Sequence, residues 1–193
     1  FAGFLAGRYA KAGSSIRAEG LGSRPPLRAY ASAATHTWIQ KAADLFGLGT
    51  RQIRYIPVDD QERMRVDLLE SAIAEDRANG DLPFLVVGTA GSVGTGSIDP
   101  LPAIAEICRK HDLWFHVDGA YGGFFLLNES GRKTMVGIAE ADSVVLDPHK
   151  GLFLPLCQGR FDPHRERQMF LAPDKGGGGQ YKGVFLNKPE RLE

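Results

Sequence analysis

Two short stretches carry the residues that could do chemistry. The first is Asp142-Ser143-Val144-Val145-Leu146-Asp147-Pro148-His149-Lys150, a β-branched apolar run ending in Asp-Pro, with a histidine and a lysine directly after it. A run of this length reads as a buried strand, and Pro148 stops it because proline brings no N–H to a ladder. Lys150 therefore stands at the carboxyl end of a core strand, where open parallel sheets put their ligands. Burying an ammonium is costly, and such groups tend to shed their proton. A neutral lysine amine is a nucleophile toward aldehydes. Taken alone, Lys150 also reads as an exposed lysine after a turn.

The second stretch changes that balance. Leu113-Trp114-Phe115-His116-Val117-Asp118-Gly119-Ala120-Tyr121-Gly122-Gly123 is another strand-like run ending in a carboxylate and small residues, with Asp118 32 residues before Lys150. About 30 residues make one strand–helix–strand unit, so Asp118 and Lys150 are expected at the same end of one sheet. A lysine that forms a Schiff base, with an aspartate to face a pyridinium nitrogen, is what pyridoxal phosphate needs from its protein. His116 and Asp118 share a strand face, which makes a metal site with His149 conceivable. No further ligand pattern supports it, and no metal is expected.

Around these two sites, strands alternate with helices. Residues 1–20 read as a helix packed by Phe1, Phe4, Leu5 and Tyr9, and residues 27–33 as a short strand. Thr35-His36-Thr37 opens an amphipathic helix with Trp38, Ile39, Ala42, Leu45 and Phe46 on one face. His36, in its first turn, suits a cap or the surface. A strand over 51–58 and a helix over 67–79 follow, the latter with Leu68, Leu69, Ala72 and Ile73 inward. Residues 83–88 are apolar throughout, as in strands covered on both faces. The glycines of 89–97 fit no dinucleotide or P-loop register. Asp99-Pro100 supplies an N-cap and an N1 proline for a helix over 100–111, with Cys108 in its buried face. Short helices are expected over 121–127 and 132–141. The pattern predicts an α/β fold.

Composition narrows the partners. The 193 residues suffice for one domain with a sizeable core, and Lys+Arg (23) equals Asp+Glu (23), for a formal net charge of zero. No basic field exists to draw nucleic acid or an anionic membrane. Cys108 and Cys157 lie 49 residues apart in no ligand spacing and read as reduced thiols of a cytoplasmic protein. No apolar run approaches the roughly 18 residues of a membrane helix. The chain opens on Phe1 rather than Met, and is read as a fragment.

HVDGAYGG followed by DSVVLDPHKG, at this spacing, resembles the pyridoxal-phosphate-dependent amino acid decarboxylases of the aromatic-amino-acid type. The resemblance runs from about Arg24 to Pro155. It implies the aspartate-aminotransferase fold, with residues 1–155 as part of the large cofactor-binding domain: a mostly parallel sheet flanked by helices, incomplete at both ends. It implies pyridoxal 5'-phosphate as cofactor, a Schiff base on Lys150, and Asp118 against the pyridine nitrogen. At an effective dielectric of about 20 that ion pair is worth about 4 kcal/mol, enough to raise the nitrogen's pKa by about three units. By the same resemblance His36 stacks on one face of the ring, Ala120 packs on the other, and Thr89 reaches a ring oxygen or the phosphate. His149 is a candidate for the phosphate or the carbonyl end of the substrate.

The implied reaction is decarboxylation of an L-amino acid to an amine and carbon dioxide, in a full-length homodimer. The resemblance also puts a phosphate loop before Phe1 and a small domain after the sheet, so the fragment itself is expected to be inactive. Another pyridoxal enzyme of the same fold, an aminotransferase or carbon–carbon lyase, is one alternative. A non-catalytic fragment or pseudoenzyme is another. Residues 156–193, with Gly176 to Gly179 in a row, depart from the family pattern. A frameshift, a spliced end or true divergence would produce this, and mostly irregular structure is expected there.

Overall fold

Apolar runs without polar alternation must be covered on both faces, and in the computed structural model those at 84–87, 113–117 and 143–146 form inner strands of one sheet. The structure describes residues 1–153, 170–173 and 181–184. In chain order the elements are α1 (Ala2–Ala12), α2 (Ile16–Glu19), β1 (Leu27–Ser32), α3 (Trp38–Leu45), β2 (Ile53–Ile56), α4 (Val66–Ala78) and β3 (Leu82–Thr89). They continue with α5 (Leu101–Lys110), β4 (Trp114–Asp118), α6 (Glu129–Thr134), β5 (Ser143–Val145), α7 (Pro148–Gly151), β6 (Phe170–Pro173) and β7 (Tyr181–Val184). The sheet order is β2-β1-β3-β4-β5-β6-β7. β1 to β5 are parallel, and β6 and β7 are antiparallel additions at one edge. The winding reverses between β1 and β3, and in open α/β sheets the crevice at that reversal is where ligands bind.

Side-chain alternation divides the core into two layers. Ala29, Ala31, Leu85 and Val87 meet Phe4 of α1 and Ile39 and Ala42 of α3 on one side. Tyr30, Val86, Phe115 and Val117 meet Leu69, Ile73, Leu101 and Ile104 of α4 and α5 on the other. A register shift between Arg28 and Ala29 inserts Phe84 as an extra residue, which brings it onto the α1 side beside Leu85. Each large side chain buried in this way contributes about 1.5–3 kcal/mol.

Several sequence expectations are corrected. α1 packs by Gly3, Phe4 and Gly7; of the expected aromatic side Phe4 is buried against Phe84, whereas Phe1 and Tyr9 stay about half exposed at 49% and 46%. The helix backbone lies too close to the sheet for larger side chains: a methyl group at Gly3 would stand 2.6 Å from His116 Nδ1, and one at Gly7 2.9 Å from Trp114 Cγ. Leu45, expected inward, is exposed near the end of α3. The helix expected over 132–141 is instead α6 followed by a separate 3-10 turn, Ile138–Glu140. Asn128 caps α6 three residues early by accepting the Gly131 N–H at 2.7 Å, and left-handed Gly137 (φ 92°) breaks the run. A 3-10 turn, Gly123–Leu127, takes the place of the helix expected over 121–127.

Asp99 does not cap α5. Its carboxylate is buried and accepts the Met64 N–H at 2.7 Å and the Thr89 N–H at 2.8 Å, tying the end of β3 to the approach to α4. Of the tail expected to be irregular, residues 170–173 and 181–184 form β6 and β7; the remainder of that expectation lies outside the described residues. Cys108 is buried as expected, and burial pushes its thiol well above the usual range. Cys157 lies outside the described residues.

Candidate active site

At the carboxyl ends of β1, β3, β4 and β5 lies a cleft of about 250 Å³, and the residues singled out by the sequence, His149 excepted, converge on it. His36 reaches it from the turn after β1, Thr89 from the end of β3, Asp118 from the end of β4, Ala120 just beyond, and Lys150 from α7. Thr89 and Asp118 are paired neighbours across β3 and β4, so the sheet register itself brings them side by side. A second hollow of about 260 Å³ lies beyond Gly91 and Gly122, but no acid, histidine or lysine lines it. The chemistry is confined to the first.

Each side chain is held by identifiable partners. Asp118 is buried; its Oδ2 accepts the Trp38 indole N–H at 2.7 Å and its Oδ1 accepts the Ala120 backbone N–H at 3.1 Å. His36 Nδ1 accepts the Trp38 backbone N–H at 3.2 Å, which leaves the proton of the neutral ring on Nε2. His36, just ahead of the Thr37 N-cap of α3, thus accepts the first N–H of the helix and lines the cleft at once. The Thr89 backbone is fixed by Asp99, and its hydroxyl lies 3.3 Å from that of Thr35. Lys150 Nζ is 2.8 Å from Asp147 Oδ2, an ion pair one helical turn long. Asp147 also stands at the N-cap of α7, and its backbone N–H bonds Ala120 O at 3.3 Å. His149 Nε2 is 3.9 Å from the same carboxylate oxygen, and His149 is not among the residues lining the cleft.

His116 lines the cleft from within β4. Its Nδ1 is 2.8 Å from Ser143 Oγ, which in turn accepts the Trp114 indole N–H at 2.9 Å. Burial pushes the imidazole down to about 3, so the ring is neutral at ordinary pH. The metal triad of His116, Asp118 and His149 does not assemble: among the described residues no group of three or more His, Cys, Asp or Glu is placed to hold an ion.

The glycines of the second stretch make close backbone approach possible. A methyl group on Gly122 would collide with the Ala90 carbonyl oxygen, and one on Gly119 would stand 3.1 Å from the Val145 oxygen. The turn after β4 is therefore pressed between the turn after β3 and the end of β5, leaving Ala120 at the cleft. Three contributors escaped the sequence reading. Trp38 had been assigned to the core, Asp99 to a helix cap, and Asp147 to the end of a strand. Asp147 had a legible signal, since it lies three residues before the lysine and i,i+3 side chains meet on a helix.

The donor set suits a flat aromatic aldehyde bearing a ring nitrogen. Lys150 offers a primary amine. Asp118 spends two of its roughly four lone-pair sites on protein donors and keeps the others. The His36 side chain is exposed and lines the cleft together with Gly91 and Ala120. Fold and site together define a domain for a pyridoxal-type cofactor, built at the reversal point of an open parallel sheet.

Comparison with known proteins agrees. Residues 3–160 match the family model described as the pyridoxal-dependent decarboxylase conserved domain, and the chain belongs to that family. It is 45% identical over 131 residues to cysteine sulfinic acid decarboxylase of Mus musculus, covering 68% of this chain and 27% of the relative. It is 42% identical over 137 residues to the acidic amino acid decarboxylase GADL1 of Xenopus tropicalis, covering 71% and 27%. A crystal structure of mouse CSAD superposes with a TM-score of 0.80 at 37% identity, covering 90% of this chain and 34% of that one. The chain thus spans about a quarter of the length of the curated relatives it matches.

Proposed function

We propose that the protein containing this chain decarboxylates an L-amino acid to an amine and carbon dioxide, with pyridoxal phosphate held at the cleft between Asp118 and Lys150. The observation that carries the reading is the convergence of an amine, a carboxylate, an imidazole and the Thr89–Ser92 turn from four strand ends on one crevice. When bound, the cofactor supplies an electron sink for the pair left on Cα as the carboxylate departs. Lys150 is the amine that holds its aldehyde, and Asp147 keeps that amine in place beforehand through the 2.8 Å ion pair. Asp118, fixed by two N–H donors, presents a carboxylate to the ring nitrogen and stabilises the proton there. His36 and Ala120 confine the two faces, and Thr89 offers a hydroxyl to a ring oxygen or the phosphate. We assign no role to His149, which stands outside the cleft lining.

The substrate class follows from the relatives in part: two of them are named for acidic amino acids, so cysteine sulfinate, aspartate and glutamate head the panel, with aromatic amino acids after them. A cytoplasmic homodimer completes the proposal. The test is direct. The full-length protein is incubated with pyridoxal phosphate and each L-amino acid, and the products are analysed. Carbon dioxide with the matching amine supports a decarboxylase. An oxo acid instead would make it an aminotransferase, and no product with any substrate would leave a binding fragment or pseudoenzyme. Borohydride reduction and peptide mapping are expected to find the pyridoxyl group on Lys150, and a label on Lys133 or Lys110 would overturn that assignment.

A further inference from the structure

Among the described residues, Trp38 is the one whose side chain bonds directly to the Asp118 side chain from another element. Its indole N–H reaches Asp118 Oδ2 at 2.7 Å across 80 residues of sequence, a short bond for an N–H donor to a carboxylate. The ring is itself held: it meets His116 edge to face, with centroids 5.6 Å apart and planes at 80°. His116 is fixed in turn by Ser143, and Ser143 by Trp114. The Trp38 backbone N–H bonds His36 Nδ1, so one residue touches both His36 and Asp118.

We propose that Trp38 is a positioning residue for the cofactor site, one that sets the orientation of Asp118 through its indole N–H and of His36 through its backbone. The proposal rests on the functional reading above. A carboxylate at a strand end turns freely about its last torsion unless both oxygens are held. Here Oδ1 is tied to the Ala120 backbone and Oδ2 to the indole, which leaves the remaining lone pairs aimed by the protein and not by chance. The other donor is main chain and survives any change of side chain short of proline, so the indole is the adjustable half of the grip. A phenylalanine keeps an aromatic ring at this position but loses the N–H together with part of the indole's bulk, and the D118N background separates the two losses.

The test is a double-mutant cycle in the full-length protein with W38F, D118N and the double variant, read by pyridoxal phosphate affinity in the absence of substrate and by thermal unfolding. Loss of one hydrogen bond to a charged group predicts an affinity drop of about tenfold or more for W38F. In the D118N background the same change is expected to cost less than about twofold, because a residue acting only through Asp118 has nothing left to act on. A merely structural role would give equal losses in both backgrounds, in step with the unfolding temperature, and would overturn the inference. So would an unchanged affinity in W38F. If wild-type protein neither binds the cofactor nor releases carbon dioxide, the functional reading fails instead. Should W38F not fold, tryptophan labelled with 15N in the wild type gives the answer. The indole resonance that moves in D118N must also move on adding pyridoxal phosphate, and a stationary resonance would overturn the proposal.

Discussion

Replacing Asp99 separates two accounts of one residue. As a helix cap, Asp99 would be exchangeable with asparagine at little cost and with alanine at about 0.5–2 kcal/mol. The structure makes it a clamp: Oδ1 accepts from Met64 N, Oδ2 from Thr89 N, and the side chain is buried at 4% exposure. Alanine leaves two buried N–H groups without partners, at about 1–3 kcal/mol each, for a loss of about 2–6 kcal/mol. Asparagine keeps one oxygen but turns an amide N–H₂ toward the other donor. It loses one charge-assisted bond of about 1.5–3 kcal/mol, partly offset because a neutral amide is less costly to bury than a carboxylate. The net expectation for D99N is about 1–2 kcal/mol, or about 2–8 °C in Tm for a chain of this size. Burial also raises the Asp99 pKa from its ordinary 3.8. Between that value and the raised one the native state binds more protons than the unfolded chain, so this group's share of stability falls as pH rises through the window. D99N removes that slope. Urea and thermal unfolding of both variants, from pH 4 upward, provide the assay. An asparagine variant as stable as wild type, with alanine costing about 1 kcal/mol, would restore the capping account and refute the clamp. Because the same bond fixes Thr89 at the cleft, D99A is also expected to weaken pyridoxal phosphate binding.

Further outcomes follow from particular contacts. G122A drives a methyl group into the Ala90 carbonyl and is expected to cost about 1–3 kcal/mol by denaturation, whereas G94A enters open space at an ordinary backbone angle and should stay within about 0.5 kcal/mol. Burial pushes the His116 imidazole down from its ordinary 6.5 to about 3, so the unfolded chain binds the extra proton between those values. Stability should therefore fall on acidification through that window, by up to about 1.4 kcal/mol per pH unit, and H116F should flatten this part of the profile in acid unfolding curves. D147N removes the carboxylate charge beside Lys150, a pair exposed enough to solvent that unfolding should register less than about 1 kcal/mol. Its effect is expected instead in a faster reaction of the lysine with pyridoxal phosphate, followed by absorbance, because the ion pair favours the ammonium and only the neutral amine attacks the aldehyde.

What the sequence determined by itself is the periodic and local part of the protein. Runs such as Phe84–Val87 and Val144–Leu146 can only be covered on both faces, and the polar residues that follow them mark the strand ends where Thr89, Asp118 and Lys150 emerge. Spacing of about one strand–helix–strand unit then brings Asp118 and Lys150 to one end of the sheet without further information. Asn128 as a cap was also there to be read, in the few residues around it. The tertiary structure alone decided which atoms hold those side chains. Asp99 looks like a cap in any local window, and only the return of the chain before α4 brings the Met64 N–H to it. Gly3 and Gly7 look like helix weakeners until β4 lies beneath them. Trp38 has the spacing of a core residue, and its indole finds Asp118 because β1 and β4 are laid on either side of β3, a neighbour relation that no stretch of sequence contains. Hydrophobic period is a property of a segment, whereas a hydrogen bond across 80 residues exists only once the sheet order has been chosen.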